Sequence, residues 1–315
     1  MKCQRGIALI TVLSVLAVVA MLSTAGLLWQ QTALQRTTFL LQSSQALDYL
    51  TAMETWAEAV LLRDAKTSSI DSLQESWALT LAPIAVERGM ISGELEDLQG
   101  RFNLNNLVVD KKFQPEELAR FQRLLGLVGV EGTQAEQIAQ ALRDWLDPDQ
   151  TEEPSGAEDY YYLALSPAYR TGDGPLFSPT ELLLVKGMTS EIWENLKPYV
   201  AALPGYQPVN VNTAAKTVLQ SLSEDMTEPL VEDILDHRLS TPFASVTAFL
   251  DFRKRQHDAE AKLPKLAVKS LSVTSQYFLL RGEAMIAEQA LQARLLIHRK
   301  KQQAAVIQRS FGQYL

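Results

Sequence analysis

The N-terminal part of the chain is dominated by one apolar run. No ionisable side chain occurs from Gly6 to Gln35, and residues 7–29 are almost entirely apolar. As an α-helix, residues 7–29 would span roughly 34 Å at about 1.5 Å per residue, which is enough to cross a bilayer. Lys2 and Arg5 precede the run, so the positive-inside rule keeps the N-terminus in the cytoplasm. The pattern predicts a single-pass membrane protein whose bulk is extracytoplasmic.

The helical pattern continues past the apolar run. Residues 30–66 contain neither Gly nor Pro. Spacings of three, four and seven residues draw one apolar stripe through Leu40, Leu47, Leu50, Ala57, Val60 and Leu61. We expect one helix from about Ile7 to Leu62, with its second half packed on a sheet. An anchor followed by an unrelated coiled coil is the alternative, but the charges that would flank a coiled-coil seam are sparse.

Strand patterns at two distant places predict an antiparallel sheet. Residues 91–98 alternate loosely and predict one strand, after turn residues that begin near Ala82. Near the C-terminus, residues 272–286, 293–298 and 305–311 are rich in Val, Ile, Leu, Tyr and Phe. They predict a three-stranded antiparallel meander.

The residues between these strands predict a helical insert. Helix starts are indicated by Pro115, by a capping box at Thr133 with Glu136, and by a second box at Ser178 with Glu181. The predicted fold class is α+β. Residues 30–102 and 270–315 form a helix-on-antiparallel-sheet domain, which a large all-α insert at residues 103–269 interrupts.

Nucleic-acid binding is suggested by one motif and opposed by the charge of the chain. Residues 209–215 (VNVNTAA) resemble the start of a helix-hairpin-helix module, and residues 102–105 (FNLN) are a weak echo of them. Such modules bind phosphate through Gly-rich amides, whereas residues 223–228 contain three carboxylates and no Gly. The chain has 29 Lys and Arg against 37 Asp and Glu, a net charge of -8. We expect a SAM or helix-hairpin-helix-like insert without nucleic-acid binding.

An acidic segment of the insert is the richest candidate for metal binding. Residues 144–162 contain seven carboxylates, interrupted by Pro148, Pro154 and Gly156, so a loop can fold several of them around one hard cation. Calcium takes about six to eight oxygens in flexible geometry, which suits such a loop. The spacing is not that of an EF-hand. A solvated acidic loop without an ion is the alternative.

The residues before the apolar run resemble the leader of type IV pilins and type II secretion pseudopilins. This leader is short and basic and ends in a Gly, here Gly6, directly before an apolar helix that starts at Ile7. The resemblance implies that a prepilin peptidase cuts between Gly6 and Ile7 and removes residues 1–6. An ordinary secretory signal is the alternative, but its apolar stretch is shorter and no clear small-residue cleavage site follows before Gln30.

Several motifs, in this order, resemble the GspK family of minor pseudopilins over nearly the whole chain. They are the Gly6–Ile7 junction, Thr11 at the fifth position after the cut, residues 100–107 (GRFNLNNL), the acidic segment and residues 209–215. Most pilins carry Glu at the fifth position, where it is thought to pair with the N-terminus of a neighbouring subunit. A neutral residue such as Thr11 avoids an unpaired buried carboxylate at a filament end.

The same resemblance implies a place in the cell, partners and ligands. It implies a pilin-like subunit at the tip of the type II secretion pseudopilus, where it helps to initiate or limit assembly. The implied partners are the minor pseudopilins GspI and GspJ, with GspH. The implied cation is calcium, held by Asp147, Asp149, Glu158 and Asp159, while Asp144 is either a further ligand or a helix-end carboxylate.

No motif favours an enzyme. His237, His257 and His298 are isolated, and the sequence has no G-x-S-x-G, Walker or dinucleotide motif. The single cysteine, Cys3, excludes an internal disulfide. The alternative function is a signal-anchored periplasmic binding protein outside any filament.

Overall fold

One long helix forms the N-terminal part of the protein. The structure is a computed structural model that describes residues 4–257, 263–264, 266–287, 289–301 and 303–312. Helix α1 extends from Gln4 to Thr67, past the expected end at Leu62. Its most apolar 18-residue window has a mean hydropathy of 2.4, and none of that window is buried against the rest of the chain. A helix of this kind is a candidate membrane anchor.

The second half of α1 packs on the sheet through a narrow stripe. The stripe consists of side chains no more than 2% exposed, namely Ala46, Leu50, Met53, Ala57 and Leu61. The expectation that Leu40 and Leu47 belong to it is wrong, because they are 66% and 42% exposed. The buried stripe begins at Ala46, and Leu47 points about 100° away from Ala46 around the helix.

The sheet has five antiparallel strands. In spatial order they are β1 (Leu81–Val86), β2 (Gly89–Asp97), β3 (Tyr277–Ile286), β4 (Gln289–Lys300) and β5 (Gln303–Phe311). The four expected strands correspond to β2 to β5. Strand β1 was not expected, because Pro83 lies in the middle of it. Proline is tolerated there since β1 is an edge strand, where a missing N–H breaks no ladder.

Helix α1 and the sheet enclose the first hydrophobic core. Trp77 and Phe278 lie edge to face in it, with ring centroids 5.2 Å apart. Gly93 of β2 is paired in register with Gly282 of β3. A Cβ on Gly93 would lie only 2.4 Å from the Cε atom of Met53. The two glycines therefore let a side chain of α1 rest directly on the backbone of the sheet.

The chain between β2 and β3 forms two further cores in its described part. The core that we call the first lobe lies within residues 102–202 and includes α2 (Pro115–Leu127), α3 (Gly132–Leu146), α4 (Asp159–Leu163) and α5 (Ser190–Leu196). The second lobe lies within residues 209–271 and includes α6 (Lys216–Ser221), α7 (Glu228–Ser240) and α8 (Val246–Arg255).

The helix starts agree only in part with the expectation. Ser178 and Glu181 form the predicted capping box, although the element that follows, Pro179–Leu184, is a 3-10 helix. The box predicted at Thr133 is wrong, because α3 already begins at Gly132 and has no side-chain cap.

The insert is not purely helical, which corrects the expectation of an all-α unit. Phe102–Asn103 pairs in parallel with Val200–Ala201, and Val209–Asn210 pairs in parallel with Leu271–Ser272. Both strand pairs are buried, and the chain around them is not helical. Its backbone N–H and C=O groups therefore need hydrogen-bond partners from other parts of the protein.

Asparagine side chains supply these partners in the same way in both lobes. Asn105 accepts a hydrogen bond from the backbone N–H of Leu176 at 2.8 Å and donates one to the Leu176 carbonyl at 3.0 Å. Asn212 forms the same two bonds with Phe243, at 2.9 and 3.0 Å. Each amide imitates the pairing of a strand residue. The echo between residues 102–105 and 209–212 is therefore a repeated structural device.

A buried carboxylate joins the second lobe to the sheet. Asp97, the last residue of β2, is 5% exposed. Its Oδ1 accepts a hydrogen bond from the N–H of Gln99 at 2.8 Å. Its Oδ2 accepts bonds from Asn210 at 3.0 Å, from Thr213 at 2.6 Å and from Ser275 at 2.6 Å. Burial raises the pKa of Asp97 to about 6, and the bonds from Ser275, Thr213 and Gln99 act in the opposite direction.

A second buried group ties the end of α1 to the same place. Arg299 of β4 forms ion pairs with Asp71 at 2.5 Å and with Asp64 of α1 at 3.2 Å. Asp71 also accepts a hydrogen bond from the N–H of Ser275 at 2.7 Å. The insert is therefore rooted where α1 ends, at the end of the sheet remote from the apolar N-terminus.

The titration of Asp97 predicts a pH-dependent stability. Below about pH 4 this carboxyl is protonated in the folded and the unfolded chain, whereas above about pH 6 the folded chain must hold it ionised while buried. The contribution of this carboxyl to the free energy of unfolding is therefore complete at low pH and is lost as the pH rises through 6. We expect the free energy of unfolding of the wild type, relative to Asp97→Asn, to fall by up to about 3 kcal/mol between pH 4 and pH 7.

Denaturant unfolding at each pH measures this difference. Glu94→Gln on β2 is the matched control, since the Glu94 side chain is 46% exposed, and its difference from the wild type should not vary with pH. A wild-type minus Asp97→Asn difference that is constant over this range would contradict the prediction.

Candidate metal centre

Three of the expected calcium ligands converge at the end of α3. One carboxylate oxygen from each of Asp147, Asp149 and Glu158 lies within 4.8 Å of the others. Asp147 directly follows α3, and Glu158 directly precedes α4. The two helices thus hold both ends of the acidic loop, which spans residues 147–158.

This convergence leaves buried carboxylate oxygens without hydrogen bonds. Three buried carboxylate oxygens have no hydrogen-bond donor among the described residues. They are both oxygens of Glu158 and the Oδ1 of Asp147. Burial, and after it the charges of Asp144 and Asp147, raises the pKa of Glu158 to about 8. Burial, and after it the charge of Asp149, also raises the pKa of Asp147. Such a group of acids is costly without a cation.

Asp144 shapes the loop from the last turn of α3. It is 0% exposed, and its Oδ2 accepts hydrogen bonds from the N–H of Glu153 at 3.2 Å and of Ala157 at 2.8 Å. A Cβ at Gly156 would lie 1.9 Å from the same oxygen, so only Gly fits there. The Oδ1 has no donor among the described residues. Burial raises the pKa of Asp144 to about 6.

Asp159 is engaged elsewhere. Its Oδ1 accepts hydrogen bonds from the N–H and the hydroxyl of Thr171, both at 3.1 Å, and its Oδ2 accepts one from Arg170 at 2.8 Å. In the described structure it is not among the converging oxygens. Asp159 therefore joins the start of α4 to the segment that follows this helix.

The basic side chains around the acidic loop differ from those around a second group of converging acids. Asp64, Asp71 and Glu75 also converge within 4.8 Å, but Arg299 already forms ion pairs with the first two. At the acidic loop, Arg143 lies 3.9 Å from Asp147 and 2.6 Å from Glu153.

The donor set at the loop fits a hard divalent cation. Asp147, Asp149 and Glu158 bring only carboxylate oxygens, the ligand type that calcium prefers. Among the described residues, neither oxygen of Glu158 has a donor, and of the three acids only Asp147 lies near a basic side chain, that of Arg143 at 3.9 Å. The site therefore has less positive charge close to its acids than the Arg299 group has. Asp144 holds the loop through its Oδ2, while its buried Oδ1, which has no donor among the described residues, leaves it a candidate for a further ligand.

The remaining sequence-based site residues lie in α1. Gly6 and Ile7 are in its first turns, and their side chains are outside the described part of the chain. The Thr11 hydroxyl donates a hydrogen bond to the Ala8 carbonyl at 2.9 Å. The hydroxyl of Thr11 is therefore satisfied within its own helix.

Two features of this region were not predicted from the sequence. Gly156 was recognised only as a loop breaker, whereas its close approach to Asp144 is a steric requirement that the sequence does not reveal. The role of the buried asparagines, such as Asn105, had one signal in the sequence, which was the similarity between residues 102–105 and 209–212.

Comparisons with known proteins identify the family. Two family models described as "Type II secretion system (T2SS), protein K" match residues 100–205 and 209–273. The type II secretion system protein K of Pseudomonas aeruginosa is 36% identical over 296 residues, which cover 90% of this chain and 86% of that protein. The protein K of Klebsiella pneumoniae is 35% identical over 324 residues, which cover 99% of this chain and 97% of that protein.

A solved structure shares the fold. The match is a chain of the crystal structure of the GspK-GspI-GspJ complex from the type 2 secretion system of enterotoxigenic Escherichia coli. Its TM-score is 0.79 at 28% sequence identity, and the match covers 89% of this chain and 100% of that chain. Family models, full-length relatives and fold agree, and the chain belongs to the type II secretion system protein K family, GspK.

Proposed function

We propose that this protein is a minor pseudopilin that occupies the tip of the type II secretion pseudopilus, anchored in the inner membrane through residues 7–29 before assembly. The observation that carries the proposal is the position of the insert. Its second lobe is bonded through Asn210 to Asp71 and Asp97, and Arg299 pairs Asp71 with Asp64 at the end of α1, opposite the apolar N-terminus. A subunit with this bulk at its distal end obstructs the addition of another subunit above it, while subunits can still add below.

Thr11 supports a terminal position. A Glu inside an apolar helix bundle needs a positive partner, because an unpaired buried charge costs several kcal/mol. Thr11 carries no charge, and its hydroxyl is bonded to Ala8. The subunit can therefore start a filament without a neighbour above it. This supports a role in initiating the pseudopilus and limiting its growth.

The exposed face of α1 supports assembly with other pseudopilins. Between the membrane segment and the stripe on the sheet, Leu34, Phe39 and Leu41 are 60%, 51% and 67% exposed. Such apolar side chains on a long helix are typical of a protein interface. We propose that helices of the relatives of GspI and GspJ, with GspH, cover this face.

Co-purification of the full chain with its GspI and GspJ relatives in detergent tests the assembly. Leu34→Glu should reduce recovery of the partners at least severalfold, because it buries a charge in the helix interface. Leu239→Glu is the matched control, since Leu239 is a leucine of α7 that is 71% exposed, and it should co-purify like the wild type. If the wild-type chain purifies alone, the proposed assembly is wrong.

Processing is a separate prediction. A prepilin peptidase should cut the Gly6–Ile7 bond, and N-terminal sequencing of the protein from membranes should begin at Ile7. Gly6→Val should remain uncut, since a branched side chain hinders close approach of the peptidase to the backbone. Gly26→Val is the control, because a Cβ at Gly26 meets nothing within 4 Å, and it should be cut normally. A mature protein that retains Met1, or begins beyond Gln30, would contradict the pseudopilin assignment.

The acidic loop is proposed to hold calcium through Asp147, Asp149 and Glu158. Calcium would supply the positive charge that these carboxylates lack. Asp144 would keep the loop in the binding conformation, and Asp159 would hold α4. The ion would thereby stabilise the first lobe, which the tip needs as a rigid body.

Calcium should raise the melting temperature of chelator-treated protein. Binding adds RT ln(1 + [L]/Kd), about 2.7 kcal/mol at a hundredfold excess over Kd. Asp147→Asn with Glu158→Gln should abolish this response, yet should melt above the wild type in chelator, because the repulsion between the acids is removed. Magnesium should substitute poorly, since it demands a smaller octahedral site.

Glu191→Gln provides the matched control for this measurement. Glu191 is an exposed acid of α5 in the same lobe, so its variant should keep the full calcium response. An unchanged melting temperature of the wild type on adding millimolar calcium, with no heat of binding in calorimetry, would return the loop to a solvated acidic segment.

A further inference from the structure

A cavity of about 410 Å³ lies between the sheet and the first lobe. Its floor includes Leu279 of β3 and Leu296 of β4, which are paired in register. Their chain neighbours Leu280 and Leu295 belong to the core under α1. Because side chains alternate across a sheet, the cavity lies on the face opposite α1.

The wall of the cavity adds aromatic surface. Trp193 of α5 is 9% exposed, whereas Phe177 is 82% exposed although it lies in a folded loop beside the capping box. Apolar surface open to solvent next to a concave site is typical of a ligand-binding groove. The floor and the wall can therefore hold an apolar side chain of a ligand.

The charged residues of the cavity are all positive. They are Arg101, Lys197, Arg281 and Arg294, and none of the described residues that line the cavity is acidic. This contrasts with the chain as a whole, whose net charge is -8. Three of these four cations are paired with acids that lie outside the lining, so the positive charge available to a ligand is that of the remaining cation, which favours an anionic ligand.

Arg294 is the cation best placed to bind such a ligand. Arg101 and Arg281 form ion pairs with Glu96, and Lys197 forms one with Glu194. For Arg294 the described residues provide no ion pair. Arg294 lies directly opposite Arg281 in the register of β4 and β3, but Arg281 is compensated by Glu94 and Glu96. Arg294 is therefore the guanidinium left to bind a carboxylate of the ligand, through two parallel hydrogen bonds.

The cavity reaches the free edge of the sheet. Gln308 and Ser310 of β5 line it, and β5 is the last strand of the sheet. Ser310 is paired with Arg294, so a strand added beside β5 would lie about 4.8 Å further from Arg294 than Ser310 does. An extended peptide can pair with this edge and direct every second side chain into the cavity.

We propose that this cavity binds an extended acidic segment of a protein outside the filament. An apolar side chain of the segment packs against Leu296 and Trp193, and a carboxylate two residues away binds Arg294. That the segment belongs to a protein outside the filament rests on the proposed function, in which α1 faces the filament and the opposite face of the sheet points outward. The binding of an acidic segment by the cavity does not depend on the proposed function.

Fluorescence anisotropy of the full chain in detergent micelles tests the proposal with the labelled peptide Asp-Ser-Phe-Ser-Asp. In an extended strand this probe places Phe and both carboxylates on one face. Ser-Asp-Phe-Asp-Ser has the same composition but places them on opposite faces. We expect saturable binding of the first probe, and roughly tenfold weaker binding of the second and of Asn-Ser-Phe-Ser-Asn.

Variants locate the site. Arg294→Gln should weaken binding of the first probe by roughly tenfold, whereas Arg63→Gln, at an exposed arginine of α1, should leave it unchanged. Equal weakening by both variants, or no saturable binding, would overturn the proposal.

The probe should also bind the complex with the GspI and GspJ relatives. If these partners block it, the occupant is an assembly partner and the stated source is wrong. Failure of co-purification alone would overturn the proposed function and leave the cavity chemistry intact.

Discussion

The buried carboxylate of Asp97 fixes the insert to the sheet. Its side-chain donors come from Asn210, Thr213 and Ser275, which lie far from Asp97 in sequence. A buried charge that loses its partners costs several kcal/mol, so these segments must dock together or not at all. Arg299 extends the constraint to α1 through Asp64 and Asp71. One polar junction thereby joins the end of α1, two strands of the sheet and the start of the second lobe.

The acids of this junction differ from those of the acidic loop in how many hydrogen-bond donors they receive. Asp97 and Asp71 are buried and receive several donors, which offset part of the cost of burial. Asp147 and Glu158 are also buried, yet within the described structure some of their oxygens have none. A protein retains such uncompensated carboxylates at a cost, which an external cation removes. Arg294 is the complementary case, because it is a cation without an ion pair among the described residues.

The sequence predicted the long helix, four of the five strands and the position of the insert, since these follow from hydrophobic periodicity. It missed β1 because Pro83 contradicts a strand unless the strand is known to lie at an edge. Composition marked an acidic loop, and the family resemblance selected Asp147, Asp149, Glu158 and Asp159 within it. The first three converge in the structure, whereas the donor of Asp159, Thr171, is positioned by tertiary structure that the sequence does not reveal. The asparagine pairs join residues 71 and 31 positions apart. The side-chain donors of Asp97 lie 113, 116 and 178 positions away from it, and no local pattern encodes either set of contacts.

The central claim is that the junction holds the insert as firmly as the sheet holds its own strands. Native-state hydrogen exchange of the amides of Gln99, Val211 and Ser275, which donate to Asp97, Ser272 and Asp71 respectively, measures this most directly. We expect these amides to be protected to nearly the same extent as the paired amides of β3 and β4, since they open only when the junction unfolds. Exchange at the rate of exposed loops, while β3 and β4 remain protected, would show that the insert moves independently and would contradict the account.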